Sequence, residues 1–289
     1  MHSNGDATAQ HDAIRQVMGG LVVCPIDITQ PGIRILDSGT CDGYWLQDLV
    51  NCYSLRKHDA VLIGTDITDA KFPSSSQNTY TTTTTTAADE NNGDTSLPAI
   101  TFQLQSISQP WPEDWNGTFD LVHQRLVLGG CGAAIPFGQA VRNLAALVRP
   151  GGWVQLVEPD QTCGVRDGPA MNNFLTLVTW VFEDMGGHAR YAYGIAAWLR
   201  EAGFEDVREE SVPLFLGRAI RGDEELARRT ARSTADAMVP LLKYVEKSGK
   251  NPPLCREELD TLVSRLHDEL MENGGLHPLR VIYGRAPSA

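Results

Sequence analysis

The chain has 289 residues, of which 42% are hydrophobic and 21% are charged, and its formal net charge is −12. This length and apolar content suffice for one large domain with a buried core, and they exclude a disordered chain. The acidic charge, without a basic cluster, argues against nucleic acid and an anionic membrane surface as partners. No apolar run resembles a membrane span or a secretory signal, so we expect a soluble cytoplasmic protein with reduced cysteines.

The first part of the chain alternates between helix and strand signals. The predicted elements are, in order, a helix over 6–18, a strand over 33–36, a helix starting near Trp45 and a strand over 60–65. Gly19 and Gly20 end the first helix, as glycine does after a helix C-terminus. Asp66 follows directly after the second strand.

Residues 74–97 interrupt this pattern. They contain almost no aliphatic side chains and include a run of six threonines at 81–86. Threonine favours strands, but without apolar partners such a segment is better interpreted as a disordered surface loop. We therefore predict a low-complexity insertion, because strand signals stand on both sides of it.

The remaining strands and helices alternate in the same rhythm. Further strands are predicted over 100–105, 119–123, 153–157, 207–215 and 279–283. Strand, helix, strand in succession indicates a parallel sheet with helices on both faces. We therefore predict an α/β fold over residues 1–289 as a single domain, with a mostly parallel seven-stranded sheet.

Residues 222–273 lie between the last two predicted strands and carry two amphipathic patterns. The first runs from Leu226 to Val245 and the second from Leu259 to Leu270. Two helices are more than a connection between neighbouring strands requires. We interpret them as a helical cap inserted before the last strand.

The glycine-rich turn after the first strand is the most informative segment. Asp37 precedes Gly39 and Gly43, at the strand end where doubly wound sheets bind ligands. A dinucleotide site favours the spacing GxGxxG, which is absent here, so an amino-acid end of a ligand fits better than a pyrophosphate. The Asp66 carboxylate can accept hydrogen bonds from both hydroxyls of a ribose. The alternatives are an ordinary strand–helix turn and a helix N-cap.

Further motifs follow in order along the chain: Gln10-His11, ILDSGTCDGYWLQDL, GTDI, QSISQPWP, FDLVHQR, VRPGGWVQLVE and VIYGR. Together they resemble the class I S-adenosylmethionine-dependent methyltransferases, and among these the small-molecule enzymes of fungal secondary metabolism. The resemblance covers about residues 10–285, apart from the threonine insertion. It implies a Rossmann-like fold, S-adenosylmethionine as the cofactor and a small-molecule acceptor.

The resemblance also implies a cofactor site assembled from strand ends and the first helix. Its expected residues are Gln10, His11, Asp37, Gly39, Gly43, Asp66, Ile67, Ser106, Ile107, His123 and Gln124. In such a site Asp66 would bind the ribose hydroxyls, Ile67 would pack on the adenine, and His123 would face the sulfonium. No cluster of metal ligands is evident, so no metal is expected.

Two histidines are candidate catalytic bases, since a hydroxyl or N-hydroxyl acceptor gains from proton removal. His123 ends the fourth strand and His188 follows two glycines. The aromatic residues Trp180, Tyr191 and Tyr193 are candidates for the wall of a substrate pocket, with packing in the core as the alternative.

The expected reaction is methyl transfer to an O or N atom of a small natural product. The protein's main task would be to align the acceptor with the methyl group. A second function class stays open, because a protein of this fold can bind the cofactor and instead catalyse a pericyclic rearrangement or act as a regulator. Sequence alone does not determine the oligomeric state.

Overall fold

The computed structural model describes residues 5–53, 55, 60–73, 99–132, 134–162 and 168–288. Its central sheet has seven strands: β1 (Arg34–Ser38), β2 (Val61–Asp66), β3 (Ile100–Leu104), β4 (Phe119–Arg125), β5 (Val148–Pro159), β6 (Glu205–Val212) and β9 (Leu279–Arg285). They lie in the order β3-β2-β1-β4-β5-β9-β6, and two short strands between β6 and β9 in the sequence form a separate ribbon. Strands β1 to β5 are parallel, and β9 runs antiparallel to its neighbours β5 and β6. The predicted fold class is confirmed.

Eight helices surround the sheet in the part of the chain that the structure describes. They are α1 (Gly5–Met18), α2 (Tyr44–Cys52), α3 (Phe137–Ala145), α4 (Pro169–Asp184), α5 (Ile195–Glu201), α6 (Glu224–Asp236), α7 (Met238–Ser248) and α8 (Arg256–Asn273). Successive strand residues point to opposite faces of the sheet. Leu36 and Val122 therefore pack with α3 and α5, whereas Ile35 and Leu121 pack with α2.

A third apolar cluster lies beyond the carboxyl ends of the strands. Helices α1, α4, α6, α7 and α8 pack there against Val157 of β5 and against Leu279 and Val281 of β9. This layer covers the edge of the sheet at which the parallel strands end, where the ligand of a doubly wound fold binds.

Three helices, and not the predicted two, occupy most of residues 222–273. Helix α6 ends at Asp236 and α7 begins at Met238. The cause is Pro240, which has no backbone N–H, and its ring would clash with the carbonyl of Asp236 in a continuous helix. Their role as a cap over a substrate stays a prediction.

The strand predicted over 207–215 is shorter than expected and is followed by a separate ribbon. Strand β6 ends at Val212, before Pro213, which cannot donate a hydrogen bond to a sheet partner. Strand β7 (Phe215–Leu216) then pairs with β8 (Gly275–Leu276). This ribbon fixes the backbone of His277, whose N–H donates to the Leu214 carbonyl at 2.9 Å.

The five cysteines within the described residues are free thiols. None of the helices in these ranges combines the length and the apolar character needed to cross a bilayer. The predicted insertion at 74–97 lies outside the described residues.

Candidate active site

A cavity of about 290 Å³ lies at the carboxyl ends of β1, β2 and β4, and residues of α1 form one of its walls. We call it the glycine-turn cavity. It is lined by Gln10, His11, Asp37, Gly39, Thr40, Cys41, Asp42, Tyr44, Trp45, Asp66, His123, Arg125, Leu126 and Val127. Of the predicted cofactor residues, Gln10, His11, Asp37, Gly39, Asp66 and His123 meet there.

The turn between β1 and α2 has a backbone that few residues other than glycine adopt. Gly39 has φ 74° and Cys41 has φ 56°, both in the left-handed region. A Cβ atom on Gly39 would also overlap the methyl groups of Val127. The Cys41 N–H donates to Asp66 Oδ2 at 3.0 Å, so the carboxylate at the end of β2 stabilises this turn.

Asp37 and His123 form a buried pair at the floor of the cavity. Asp37 Oδ1 lies 2.7 Å from His123 Nδ1, and the indole of Trp45 stacks on the imidazole with ring centroids 3.8 Å apart. Burial lowers the pKa of His123, although the Asp37 carboxylate opposes this shift. The imidazole is therefore neutral at pH 7, with its proton on Nδ1 donated to Asp37.

His11 connects α1 to the strands and to α2. Its Nδ1 accepts a hydrogen bond from Arg125 Nη2 at 3.1 Å, so its proton is on Nε2, which donates to Asp48 Oδ2 at 2.9 Å. Its ring also meets the Tyr44 ring edge-on. Burial, followed by the Arg125 charge, lowers the pKa of His11. These contacts hold the N-terminal helix over the glycine-turn cavity.

Arg125 is a functional candidate that the sequence interpretation missed. Its guanidinium lines the cavity, and its hydrogen bond goes to a neutral imidazole. It has no ion-pair partner within the described ranges. A cation in this position can bind the carboxylate of a ligand with an amino-acid end. The signal was its place as the last residue of β4, in FDLVHQR.

A second cavity of about 230 Å³ lies beside the first, under α6 and α7, and we call it the α6–α7 cavity. It is lined by Gln10, Ala13, Leu126, Pro159, Gln161, Phe174, Val178, Phe182, Leu214, Leu216, Thr230, Ser233, Thr234, Ala237, Met238, Leu241, His277 and Leu279. None of these is an aspartate, glutamate, lysine or arginine. Gln10 and Leu126 line both cavities, so the two cavities meet at these side chains.

Two buried polar side chains in the α6–α7 cavity each have one atom without a hydrogen-bond partner among the residues that the structure describes. They are Gln161 and His277, each 8% exposed, and the atoms concerned are Oε1 and Nε2. Burial lowers the pKa of His277 to about 4, so its imidazole is neutral at pH 7. Neither residue is predictable from local sequence pattern. Gln161 follows β5 and His277 precedes β9, and only the packed fold brings them into one cavity.

Five predicted cofactor residues do not line the glycine-turn cavity: Gly43, Ile67, Ser106, Ile107 and Gln124. Ile67 follows β2 and is 73% exposed, whereas Ile107 is buried in the core. Gln124 points to the opposite face of the sheet from His123, and its Oε1 accepts a hydrogen bond from Ser38 at 3.1 Å. Ser106 bonds to Ser108 within its own loop.

His188 and the predicted aromatic wall line neither cavity. The His188 ring packs edge-on against Phe137. Tyr191 is 1% exposed in the core, Trp180 packs on the third apolar cluster, and the Tyr193 hydroxyl donates to Asp160 at 2.6 Å. The aromatic rings that do face the α6–α7 cavity belong to Phe174 and Phe182.

Tyr191 is buried because its hydroxyl has a buried partner, Glu158. The Tyr191 hydroxyl donates to Glu158 Oε2 at 2.9 Å, and Glu158 Oε1 accepts the N–H groups of Val127 and Leu128 at 3.0 and 2.9 Å. Burial raises the pKa of Glu158 to about 7. The carboxyl group thus fixes the backbone after β4, beside the glycine-turn cavity.

Comparison with known proteins is consistent with this geometry. A methyltransferase domain profile matches residues 10–209. The chain is 35% identical over 284 residues to the N-methyltransferase sirN of Leptosphaeria maculans, covering 96% of this chain and 90% of that protein. It is 33% identical over 290 residues to the N-methyltransferase tcpN of Claviceps purpurea (strain 20.1), covering 98% and 93%.

Solved structures show the same fold. The phosphoethanolamine N-methyltransferase 2 of Haemonchus contortus, in complex with S-adenosylmethionine, superposes with a TM-score of 0.51 at 12% identity. The superposition covers 97% of this chain and 53% of that chain. With the domain match over more than half of its length, the chain belongs to the class I methyltransferases, is related to fungal N-methyltransferases and uses S-adenosylmethionine as its cofactor.

Proposed function

We propose that the chain methylates a nitrogen atom of a small natural product, and that transfer occurs where the two cavities meet. The observation that carries this proposal is their junction at Gln10 and Leu126, between a cavity rich in charged groups and an apolar one. The charged cavity suits a zwitterionic cofactor and the apolar one suits a neutral acceptor. The N-methyltransferase names of relatives at 35% and 33% identity favour nitrogen over oxygen.

The residues of the glycine-turn cavity fit S-adenosylmethionine. Arg125, which forms no ion pair with a described residue, offers a cation to the carboxylate of the methionine end. Gly39 gives the turn its left-handed backbone conformation, and Asp66 offers acceptor oxygens to the ribose hydroxyls. Ile67, beyond the end of β2, offers an exposed apolar surface to the adenine.

When bound, the cofactor supplies an electrophilic methyl group on a sulfonium. The chain's own contribution is alignment, which can supply ~7–11 kcal/mol of the barrier. In this proposal His123 is a positioning residue, because its Nδ1 is hydrogen bonded to Asp37 and it lines only the glycine-turn cavity. The contacts of His11 hold helix α1 against the same cavity.

Binding of two related ligands tests the assignment of Arg125 and Asp66. S-adenosylhomocysteine has the amino-acid end, and 5′-methylthioadenosine lacks it. We expect Arg125→Met to weaken S-adenosylhomocysteine binding about 10- to 100-fold more than 5′-methylthioadenosine binding. The loss of the bond to His11 affects both ligands, whereas only S-adenosylhomocysteine also loses the partner of its carboxylate. Asp66→Ala should weaken both ligands, and calorimetry measures each dissociation constant.

Absence of S-adenosylhomocysteine binding to the unmutated chain would contradict the proposal. Equal losses of both ligands in Arg125→Met would contradict the role of Arg125. The reaction is tested with methyl-labelled S-adenosylmethionine and a fungal natural-product extract, with mass spectrometry of the products. A product that has gained no labelled methyl group would instead indicate that the chain catalyses a rearrangement.

The composition also supports a cytoplasmic location and argues against nucleic acid as a partner. The described cysteines are free, as in proteins of a reducing compartment, and the net charge is −12. A fluorescent fusion expressed in a fungal cell would test the location, and retention in the secretory pathway would contradict it.

A further inference from the structure

The α6–α7 cavity combines an apolar wall with two polar atoms that nothing in the described fold satisfies. Burying a polar group without a hydrogen-bond partner is unfavourable, and such groups in native proteins have a reason. Gln161 Oε1 and His277 Nε2 are both in this condition. They lie at the same end of the antiparallel β5–β9 pair, where Pro159 is opposite Leu279. The third buried polar side chain of the cavity, Thr230, is satisfied, because its hydroxyl donates to Ala227 and accepts from Gly217.

We propose that Gln161 and His277 are the polar anchors of the acceptor site, which takes a neutral, mainly apolar molecule carrying an N–H or O–H group. This inference rests on the proposed function, because it names the acceptor class of the same site. Gln161 Oε1 can only accept a hydrogen bond, so the ligand must supply a donor hydrogen. His277 Nε2 is the second hydrogen-bonding atom available to the ligand.

The ligand is neutral because no charged side chain of the described residues lines this cavity. His277 itself is uncharged at pH 7. A buried ion without a partner of opposite charge is strongly disfavoured. Phe174, Phe182 and Leu241 supply apolar surface, so most of the ligand must also be apolar.

The two anchors are held in place by the surrounding fold. The His277 ring meets the Phe174 ring edge-on at a centroid distance of 5.6 Å, and its backbone is bonded to Leu214. Gln161 lies two residues beyond the end of β5 and is 8% exposed. Both anchors are buried side chains next to strand ends, so they can orient one atom of the acceptor.

Indole and benzofuran test this assignment, because they have the same shape and only indole has an N–H donor. Their dissociation constants are measured by ligand-observed NMR, with and without saturating S-adenosylhomocysteine. We expect indole to bind about tenfold more tightly than benzofuran, which corresponds to one hydrogen bond. Gln161→Leu and His277→Phe should each reduce this preference and leave S-adenosylhomocysteine affinity unchanged, which also shows that the variants are folded.

Matched controls come from the same residue types outside the cavity. Gln139→Leu on α3 and His267→Phe on α8 change exposed side chains and should keep the full indole preference. Equal binding of the two probes to the unmutated chain, or an unchanged preference in both cavity variants, would overturn the inference. Loss of S-adenosylhomocysteine binding alone would overturn the proposed function and leave the indole preference intact.

Discussion

At the scale of single residues, Glu158 shows how one buried carboxyl group organises the backbone beside the cofactor site. It accepts hydrogen bonds from the backbone N–H groups of Val127 and Leu128, just after β4, and from the hydroxyl of Tyr191. Its pKa is raised to about 7 by burial, from a usual value of 4.5. The native state therefore binds a proton more tightly than the unfolded state does, and stability depends on pH.

We predict that Glu158→Gln removes a specific part of this pH dependence. The contribution of a carboxyl group with a raised pKa is fully present below pH 4.5 and is lost as pH rises to about 7. The free energy of unfolding of the unmutated chain, relative to Glu158→Gln, should thus fall by on the order of 3 kcal/mol across this window. Glutamine Oε1 can keep the two bonds from backbone N–H groups, and its Nε2 can donate to the Tyr191 oxygen, so the variant should fold.

Urea unfolding at several pH values measures this difference. His277→Phe is an informative contrast, because the pKa of His277 is lowered from 6.5 to about 4. Its contribution has the opposite sign, since it is present above pH 6.5 and is lost as pH falls towards 4. Parallel pH profiles of the unmutated chain and Glu158→Gln would show that Glu158 has an ordinary pKa.

At the scale of elements, the turn from β1 to α2 determines the shape of the cofactor site. We predict that Gly39→Ala destabilises the fold more than Gly32→Ala does. Both glycines have φ above 70°, and an alanine in this backbone conformation lowers the free energy of unfolding by roughly 1–2 kcal/mol. Only Gly39 has the additional overlap with Val127, worth ~1–3 kcal/mol, whereas a Cβ on Gly32 meets no atom within 4 Å.

Thermal unfolding of the two single variants measures the difference. A double variant, Gly39→Ala with Val127→Ala, separates steric overlap from backbone strain, because removing the Val127 methyl groups relieves only the overlap. Equal melting temperatures of Gly39→Ala and Gly32→Ala would mean that the Val127 side chain moves aside without cost.

Local pattern predicted those elements whose causes are local. Asp37, Gly39 and Asp66 lie at the carboxyl ends of β1 and β2, so parallel pairing alone brings them to one sheet edge. The break between α6 and α7 was missed, although Pro240 was the visible signal. Which face an aromatic residue takes was not predictable, since Tyr191 turns towards Glu158, a residue 33 positions earlier.

At the scale of the whole molecule, residues 74–97 connect β2 to β3, neighbouring strands at one side of the sheet. We predict that a Gly/Ser linker of about ten residues can replace them, since such a chain spans roughly 33–36 Å. The basis of this prediction is the polar, threonine-rich composition of residues 74–97. Loop length changes stability by only ~0.6 kcal/mol per doubling.

The melting temperature of the shortened chain, compared with that of the full chain, tests this prediction. A large decrease would mean that the segment packs against the domain. S-adenosylhomocysteine affinity gives a second measure, because Asp66 and Ile67 lie at the end of β2, near the start of the replaced segment.

The proposed acceptor site depends on contacts between parts of the chain that are distant in the sequence. Gln161 and His277 are more than a hundred positions apart, and they share a cavity because β5 pairs with β9 and the β7–β8 ribbon precedes His277. No periodicity or motif encodes a contact of that kind. The apolar stripes of α6 and α7 predict helices, but only the packing of these helices against the rest of the domain forms the α6–α7 cavity.

Gln10 and Leu126 belong to the walls of both cavities, so they are the side chains through which binding at one site can be linked to binding at the other. A ligand in either cavity that changes the position of these side chains changes the surface offered to the other ligand. Binding linkage is reciprocal, so the factor by which one ligand alters the affinity of the second equals the factor in the reverse direction. Order of addition can therefore change the rate of assembly of the ternary complex, and never its equilibrium population.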